Sequence, residues 1–431
     1  ESAGQPMVGA SGCAIVYNGE VYNYRELRAS LENDWTFKSA SDTEVILAGY
    51  SNTGPDYLNS LKGMFAFAIW DEKEKSLFCA RDRFGVKPFY YTVVNEIFYF
   101  ASEAKALLPF VPKIETNEDA LQDYFSLQYS LGDETMFKGI FQLPPAHFLT
   151  VRAGAIQVTK YWDVNYAVDF DHSEKWFFEQ LEEKIGIAVV ENLVSDVEVG
   201  AYVSGGIDSS LIFGLAREKS SHVSKAFHGR FLDHPGYDES DFANMVADNA
   251  GGELSTVDIS VDDLLSNVEQ VIYHLDFPIA GPGSFPQFMV SKLAATKVKT
   301  VLGGQGGDEI FGGYARYVIA YLEQCLSAAI DGTYDRGNYV VTLESIIPNL
   351  GLLREYKPMI KSFWSQNLFG PLEERYFDLL DRTAQFGPAI AHGAGNRDSV
   401  FDRFQEKFAS NGTVSESAYL DRMMRFDFKN F

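Results

Sequence analysis

The stretch Tyr202-Val203-Ser204-Gly205-Gly206-Ile207-Asp208-Ser209-Ser210 decides the fold. Glu198 to Val203, before the turn, is short and apolar-rich and reads as a strand. Leu211-Ile212-Phe213-Gly214-Leu215-Ala216, after it, reads as the start of a helix. Strand, glycine-rich turn and helix together aim free backbone N–H groups at an anion. Gly205 and Gly206 let the backbone approach that anion closely, with no Cβ in the way. Ser204, Ser209 and Ser210 offer hydroxyl donors. The Asp208 carboxylate would repel a bare phosphate and suit one that carries Mg²⁺. No G-x-x-x-x-G-K-[ST] string surrounds the turn, so it is not a Walker loop. A nucleophile elbow, G-x-S-x-G, would need glycine where Tyr202 stands. The plain alternative is an ordinary βα connection with Asp208 or Ser209 as N-cap.

Around this turn the second half of the chain alternates. Phe177 to Asn192 reads as a long helix with Leu181, Ile185 and Val189 on one face. Strands are expected over Lys225 to Phe231, Glu253 to Ile259 and Val298 to Gly303, with helices over Glu239 to Ala250, Val261 to Leu275 and Ser284 to Lys297. Such alternation means an α/β domain, a parallel sheet with helices on both faces. Ligands of such sheets sit outside the carboxyl ends of the strands, at the switch point. The last of these strands delivers Gly303-Gly304-Gln305-Gly306-Gly307-Asp308-Glu309-Ile310-Phe311-Gly312-Gly313-Tyr314 to that same edge. Asp308 can serve as an N-cap on the turn that follows. Residues 331–409 read as helical and aromatic-rich, with turns near Gly337, Pro348 and Gly370, and show no chemistry.

The first 160 residues have a different rhythm. Cys13 to Tyr22 reads as two strands around an Asn18-Gly19 turn, the strongest short hairpin signal. Tyr24 to Glu32 reads as a helix. Ser41-Asp42-Thr43-Glu44 has the spacing of a capping box, with a helix following to Tyr50. Gly63 to Trp70 and Lys75 to Ala80 read as paired strands, Phe89 to Val94 and Phe98 to Ser102 as further ones, and Glu103 to Leu108 as a short helix. Strands outnumber helices and tight turns join several of them, which describes a layered α+β domain.

With 431 residues the chain has room for two or three domains. It is 46% hydrophobic and 22% charged, ordinary for a globular protein. Its net charge of −24 argues against nucleic acid or an anionic membrane as a main partner. No apolar run reaches the length of a membrane span, and no signal peptide is expected. Cys13, Cys79 and Cys325 are too few and scattered for a disulfide framework or a metal site; Cys13 and Cys79 read as core thiols. The expected location is the cytoplasm.

Two resemblances sharpen this reading. The S-G-G-x-D-S-S string at 204–210 resembles the pyrophosphate loop of the N-type ATP pyrophosphatases, which cleave ATP between its α- and β-phosphates. Y-N-G-E-V-Y-N-Y at 17–24, S-D-T-E-V at 41–45, G-M-F-A-F-A-I-W-D at 63–71, A-R-D-R-F-G-V-K-P at 80–88, F-A-S-E-A-K-A-L at 100–107 and F-K-G-I-F-Q-L-P-P-A-H at 137–147 resemble the glutaminase domain of asparagine synthetases. The 303–314 segment is similar to the second signature of the asparagine synthetase domain. The resemblance implies residues 1–162 as a class II glutamine amidotransferase domain, similar to N-terminal nucleophile hydrolases. It implies residues 163–431 as an ATP-pyrophosphatase synthetase domain of the adenine nucleotide α-hydrolase kind. Asn18 and Gly19 would form an oxyanion hole, and Glu20 and Asp42 would hold the α-amino group of glutamine. Tyr202, Ser204, Gly205, Gly206, Asp208, Ser209, Ser210, Phe231, Gly303 and Gly304 would bind ATP and its pyrophosphate. Asp208 and Asp308 would share Mg²⁺ through the pyrophosphate. His274 to Pro278 and Gly281 to Ser284 look like the segments bordering an aspartate pocket. The implied reaction is amidation of aspartate by an acyl-adenylate route, with glutamine as nitrogen donor, ATP and Mg²⁺ required, and ammonia passing between the domains; a homodimer is left open.

Departures from the pattern define what the resemblance does not carry. The family's nucleophile is an N-terminal cysteine, whereas this sequence begins Glu1-Ser2-Ala3-Gly4-Gln5-Pro6-Met7 and resembles family sequence downstream of it. An upstream arginine for the glutamine carboxylate and a C-terminal lysine facing the pyrophosphate are also not matched. The expectation is that the true termini lie outside the sequence, or that the protein does not hydrolyse glutamine; without that lysine the phosphate site is expected to lack a cation. Gln305 stands where the family carries a carboxylate, and an amide can orient by hydrogen bonds but cannot act as a base. The alternatives are amidation of another carboxylate such as a sugar acid, a synthetase of the β-lactam-forming type, and a non-catalytic relative that binds nucleotide.

Overall fold

Residues 63–71 show best why the first half folds as it does. Phe65, Phe67 and Ile69 alternate with Ala66 and Ala68, and all five are buried. A strand sends successive side chains to opposite faces. The large set therefore packs on one side and the small set on the other. The computed structural model describes residues 4–9, 12–164, 169, 171–231, 238–278, 283–332, 335–336, 339–340, 343–365, 367–383, 397–409 and 419–430. They fall into two units: Glu1–Asn117, Asp133–Asn165 and Val190–Val194 form the first, and Glu118–Gly132, Tyr166–Val189 and Ser195–Phe431 the second.

The first unit contains β1 (Met7–Val8), β2 (Ala14–Val21), α1 (Tyr24–Leu31), α2 (Asp42–Thr53), β3 (Gly63–Asp71), β4 (Ser76–Arg81), β5 (Tyr90–Val94), β6 (Ile97–Ala101), β7 (Phe141–Gln142), β8 (His147–Arg152) and β9 (Ala155–Lys160). A six-stranded antiparallel sheet has the order β1-β2-β3-β4-β8-β9, and a three-stranded one the order β6-β5-β7. Phe65, Phe67, Ile69 and Phe78 pack with Val45, Ile46, Leu47 and Ala48 of α2 on one face of the large sheet. Ala66, Ala68 and Cys79 pack with Phe89, Tyr91 and Leu143, which belong to the small sheet and its connections, on the other. This is the expected layered α+β domain. Burial pushes the Cys79 thiol pKa well up, so it behaves as a core residue.

Two local expectations are corrected. Asn18-Gly19 is not a hairpin turn; both lie inside β2, opposite Ala66 and Phe65 of β3. The hairpin signal is local, and an eight-residue ladder with β3 outweighs it. The capping box is half formed. Ser41 caps α2 by accepting from the Thr43 N–H at 3.1 Å. Glu44 turns away, accepting from Ser39 N–H and Oγ, both at 2.6 Å, and from Lys38 N–H at 2.9 Å.

The second unit carries α3 (Glu118–Leu127), α4 (Glu174–Asn192, of which residues through Val189 belong here), β10 (Val199–Tyr202), α5 (Ile207–Lys219), β11 (Lys225–Phe231), α6 (Ser240–Ala250), β12 (Glu253–Ile259), α7 (Val261–Leu275), α8 (Ser284–Ala294), β13 (Thr300–Leu302), α9 (Gly307–Phe311) and α10 (Ala315–Asp331). Its four-stranded sheet is all parallel, in the order β12-β11-β10-β13, and among the described residues Asp335–Arg336 and Tyr339–Val340 pair antiparallel apart from it. The chain steps outward from β10 to β11 to β12, then returns to the other side of β10 for β13. Phe227 packs against Val290 and Ala294 of α8, while its neighbour His228 reaches Ser240 of α6, so helices cover both faces. On α4 only Val189 of the expected stripe is buried; Leu181 remains 37% exposed.

Residues 331–409 are helical over Leu343–Ile346, Lys357–Trp364, Leu372–Leu380 and Arg397–Ala409. Pro348 lies in a 3₁₀ segment, Ile347–Arg354, rather than at a turn, because proline suits the first positions of a helix. Gly370 closes a turn on the Asn367 carbonyl, and Gly337 lies outside the described residues. A C-terminal helix, Tyr419–Asn430, adds Met423, Met424 and Phe426 to an aromatic cluster with Tyr317, Tyr376, Phe404 and Phe408.

The connection after β4 shows what one buried carboxylate can do. Asp82 is 1% exposed and accepts from the N–H groups of Phe65, Phe84, Val86 and Lys87 at 3.0–3.1 Å. Asp82→Ala orphans four donors and is expected to cost roughly 3 kcal/mol, read as a lower urea midpoint; a loss under about 1 kcal/mol would show that the donors find other partners.

Candidate active site

The two glycine-rich segments leave adjacent strands. β10 and β13 pair in register, with Ala201 opposite Leu302, and each is followed at its carboxyl end by its loop. The strand order reverses between them, the place where open α/β sheets bind ligands.

The first loop holds its own shape. Gly205 adopts φ +93°, a left-handed conformation that a side chain would strain. Ser204 N–H donates to Ser209 Oγ at 3.1 Å, and the two hydroxyls lie 3.0 Å apart. Gly206 N–H donates to Ser204 Oγ at 3.2 Å, and Ser210 Oγ donates to the Gly206 carbonyl at 2.6 Å. The serine hydroxyls, expected to point at an anion, are thus engaged within the loop. What remains for an anion is the first turn of α5, whose leading N–H groups have no partner inside the helix. Ile207 stands at the crest of the loop, 85% exposed.

The second loop lies directly on the first. A Cβ on Gly304 would come within 2.8 Å of Ser209 N and 2.9 Å of Asp208 Cβ. One on Gly307 would come within 2.6 Å of Asp208 Oδ2. At Gly304, where the neighbours are backbone atoms, only glycine permits this contact. Asp308, in the first turn of α9, tucks its carboxylate against Gly313. Burial, then the Asp208 and Glu309 carboxylates, raise the Asp308 pKa, and Arg316 opposes them. Arg316 is the second residue of α10. The exposed Gln305 folds its amide back over Gly303.

Tyr202 and Phe231 are placed differently from the loop residues. The Tyr202 hydroxyl lies 2.8 Å from Ser291 Oγ on α8, and the ring joins the cluster beneath the sheet. Phe231 ends β11 and packs with Ile259, Val271 and Phe285. Phe277 packs edge-on against Tyr124, and Gly281 and Pro282 lie outside the described residues.

In the first unit the candidate residues line one edge of β2. Gly9 N–H donates to the Cys13 carbonyl, Ile15 is opposite Met7, and the Gln5 side-chain amide clasps the Tyr17 N–H and carbonyl at 2.7 and 3.0 Å. Val21 N–H, further along, donates to Asp42 Oδ2 at 3.1 Å. Backbone groups alternate in direction along an antiparallel strand. The Gly19 N–H therefore faces this same edge, between Gln5 and Asp42, and the ladder gives it no partner among the described residues. Asn18, on the adjoining face, donates from Nδ2 to Ser102 Oγ at 3.5 Å. Asp42 Oδ2 also accepts from the Tyr17 hydroxyl at 2.7 Å; burial and then this carboxylate push the Tyr17 pKa far up. The Glu20 carboxylate contributes to the raised pKa values of Tyr17 and Tyr22. Asn18, Gly19 and Asp42 are thus brought together, though not by the turn that the sequence suggests.

Sequence reasoning missed Gln5, Ser102, His228 and Arg316. His228 donates from Nδ1 to the Val203 carbonyl at 2.9 Å beneath the first loop, and its Nε2 lies 3.2 Å from Ser240 Oγ. A histidine in the middle of a strand next to the loop is the signal that was present.

Comparison with known proteins agrees with this geometry. Residues 1–162 match the family described as glutamine amidotransferase domain, and residues 180–431 match asparagine synthase. The fold and these matches define a two-part chain, a glutamine amidotransferase domain followed by an α/β domain of the asparagine synthase kind. The chain belongs to the asparagine synthase family. It is 37% identical over 320 residues to asparagine synthetase [glutamine-hydrolyzing] 1 of Bacillus subtilis, covering 74% of this chain and 50% of that one. It is 35% identical over 318 residues to a putative asparagine synthetase of Methanocaldococcus jannaschii, covering 71% and 60%. It is 32% identical over 321 residues to amidase chry2 of Gibberella zeae, covering 70% and 47%. The chain spans about half the length of the curated relatives it matches.

Gly304→Ala places a methyl group inside the contact between the loops. It is expected to weaken MgATP binding about tenfold or more while leaving the melting temperature nearly unchanged. Titration with MgATP checks this, and wild-type affinity would mean that the loops can separate without harm.

Proposed function

We propose that this chain carries out ATP-dependent amidation of a carboxylate, aspartate to asparagine, with glutamine as nitrogen donor. The observation that carries the reading is the packing of the 303–308 segment onto Asp208 and Ser209, which puts two carboxylates and a helix N-terminus in one crevice. In this reading residues 1–162 form a glutaminase domain of the N-terminal nucleophile hydrolase kind. Residues 163–431 form an adenine nucleotide α-hydrolase-like synthetase domain.

The chemistry follows from the residues. The acceptor carboxylate attacks the α-phosphorus of ATP, an acyl-adenylate forms, and pyrophosphate leaves. Ammonia then attacks the acyl carbon and AMP departs. The first turn of α5 holds the leaving pyrophosphate through backbone N–H groups, a preorganised electrostatic contribution. Ser204, Ser209 and Ser210 keep that turn in shape, and Gly303 and Gly304 leave room for AMP. Two oxygen donors, Asp208 and Asp308, suit Mg²⁺ bound through phosphate oxygens, and such an ion would supply charge neutralisation on the leaving group. Among the described residues no group of three or more His, Cys, Asp or Glu side chains could hold a metal by itself, so phosphate oxygens would complete the set. In this reading the Gly19 N–H and the Asn18 amide on β2 would serve as oxyanion donors, and Glu20 and Asp42 would hold the glutamine ammonium group. The reading assigns the protein to the cytoplasm, where Cys13, Cys79 and Cys325 stay reduced.

Gln305 favours a second reading in which the acceptor is a carboxylate other than aspartate. An amide at this position cannot take the proton from incoming ammonia. Pyrophosphate exchange across a panel of amino-acid and sugar-acid carboxylates separates the two.

ATP–pyrophosphate exchange in the presence of aspartate tests the main reading. Asp208→Asn is expected to lower it about a hundredfold or more with the fold intact. Unchanged exchange in that variant would remove Asp208 from the mechanism, and exchange with no carboxylate supplied would overturn the amidation reading.

A further inference from the structure

Asp427 lies on the C-terminal helix, far in sequence from either glycine-rich loop. It is 0% exposed. Arg316 donates to its Oδ2 from Nε at 3.0 Å and from Nη2 at 2.7 Å. The Tyr317 hydroxyl donates to the same oxygen at 2.5 Å, and the Tyr376 hydroxyl donates to Oδ1. Four hydrogen bonds from three residues leave this carboxylate little freedom.

The grip continues toward the second loop. The Arg316 guanidinium stacks 3.9 Å from the centroid of the Tyr314 ring. The Tyr314 hydroxyl donates to Glu309 Oε1 at 2.7 Å, and Glu309 adjoins Asp308 in the first turn of α9. Gly313 N–H donates to the Asp308 carbonyl at 2.9 Å, closing the loop on itself. α9 has only five residues, too few to be stable alone, so its place depends on such anchors. Burial alone would lower the Arg316 pKa; Asp427, with the Tyr376 and Tyr317 hydroxyls beside it, raises it instead.

We propose that Asp427 is a positioning residue of the nucleotide site, holding the second glycine-rich loop against the first through Arg316, Tyr314 and Glu309. Asp427 touches no reacting atom; it fixes the guanidinium that stacks on Tyr314 in the loop bearing Asp308. This inference rests on the nucleotide reading given above. A partner of this kind, one step removed from the groups that bind, typically changes affinity 10–100-fold when removed.

The test compares three variants. Asp427→Asn keeps the shape and removes the charge. Arg316→Lys keeps the charge and removes the planar, two-point grip. Tyr376→Phe removes the bond to the other carboxylate oxygen and leaves the Arg316 contact in place. Each is measured for melting temperature, for affinity toward the magnesium complex of α,β-methylene-ATP by titration calorimetry, and for amide hydrogen exchange over residues 303–314. Asp427→Asn and Arg316→Lys are expected to bind the analogue about tenfold more weakly and to exchange faster in that segment. Tyr376→Phe is expected to match wild type in both, even at a comparable loss of melting temperature. The inference is overturned if folded Asp427→Asn and Arg316→Lys retain wild-type affinity and exchange, or if Tyr376→Phe weakens binding as much as Asp427→Asn. Should Asp427→Asn fail to fold, Arg316→Lys decides alone. A wild-type protein that ignores the analogue would defeat the nucleotide reading itself, whereas unchanged exchange in both charge-pair variants defeats only the anchoring.

Discussion

The close approach of Gly304 to the backbone of Asp208 and Ser209 is the constraint on which the candidate site depends. A Cβ at Gly304 would meet that backbone inside van der Waals distance. Close approach concentrates charge. Burial, and then the Asp208 carboxylate, make Asp308 costlier to ionise. Parallel pairing of β10 with β13 sets this up, since it delivers both loops to one edge.

The first unit uses a different device to leave backbone available. β1 is only two residues long, and beyond it the Gln5 side chain stands in for the missing strand against Tyr17. The carboxylate of Asp42 takes the next but one N–H. Between them one N–H, that of Gly19, is left facing outward. An edge strand is usually a liability; among the described residues the Gly19 N–H stays open on this one. Asn18, one residue back and on the opposite pleat, is steadied by Ser102. Both half-sites thus rely on backbone groups kept unpaired by their surroundings.

Much of the architecture was legible because it is periodic or punctuated. Strand boundaries at Lys225–Phe231 and Glu253–Ile259 and the helix Val261–Leu275 coincide with the reading, since apolar alternation and capping residues are local signals. Where two local signals competed with a distant one, the distant one prevailed. Asn18-Gly19 has the chemistry of a turn, yet β3 pairs across it without a break. Glu44 has the spacing to return to Ser41, yet three donors at Lys38 and Ser39 hold it elsewhere. The serines of the first loop were legible as a group but not in role, because a hydroxyl at a helix start can serve a ligand or the loop itself.

What the sequence alone determined is therefore the division into an α+β and an α/β part, the two glycine-rich loops, and the family to which the chain belongs. These follow from spacing and residue type within windows of ten or so residues. Only the tertiary structure decided that Gly304 rests on Asp208, that Gly19 keeps an unpaired N–H, and that Asp427 grips Arg316 across 111 positions of chain. Contacts of that range carry no periodicity to read. They arise when the burial of a whole core fixes which backbones meet, and the charge at the site is set by that meeting.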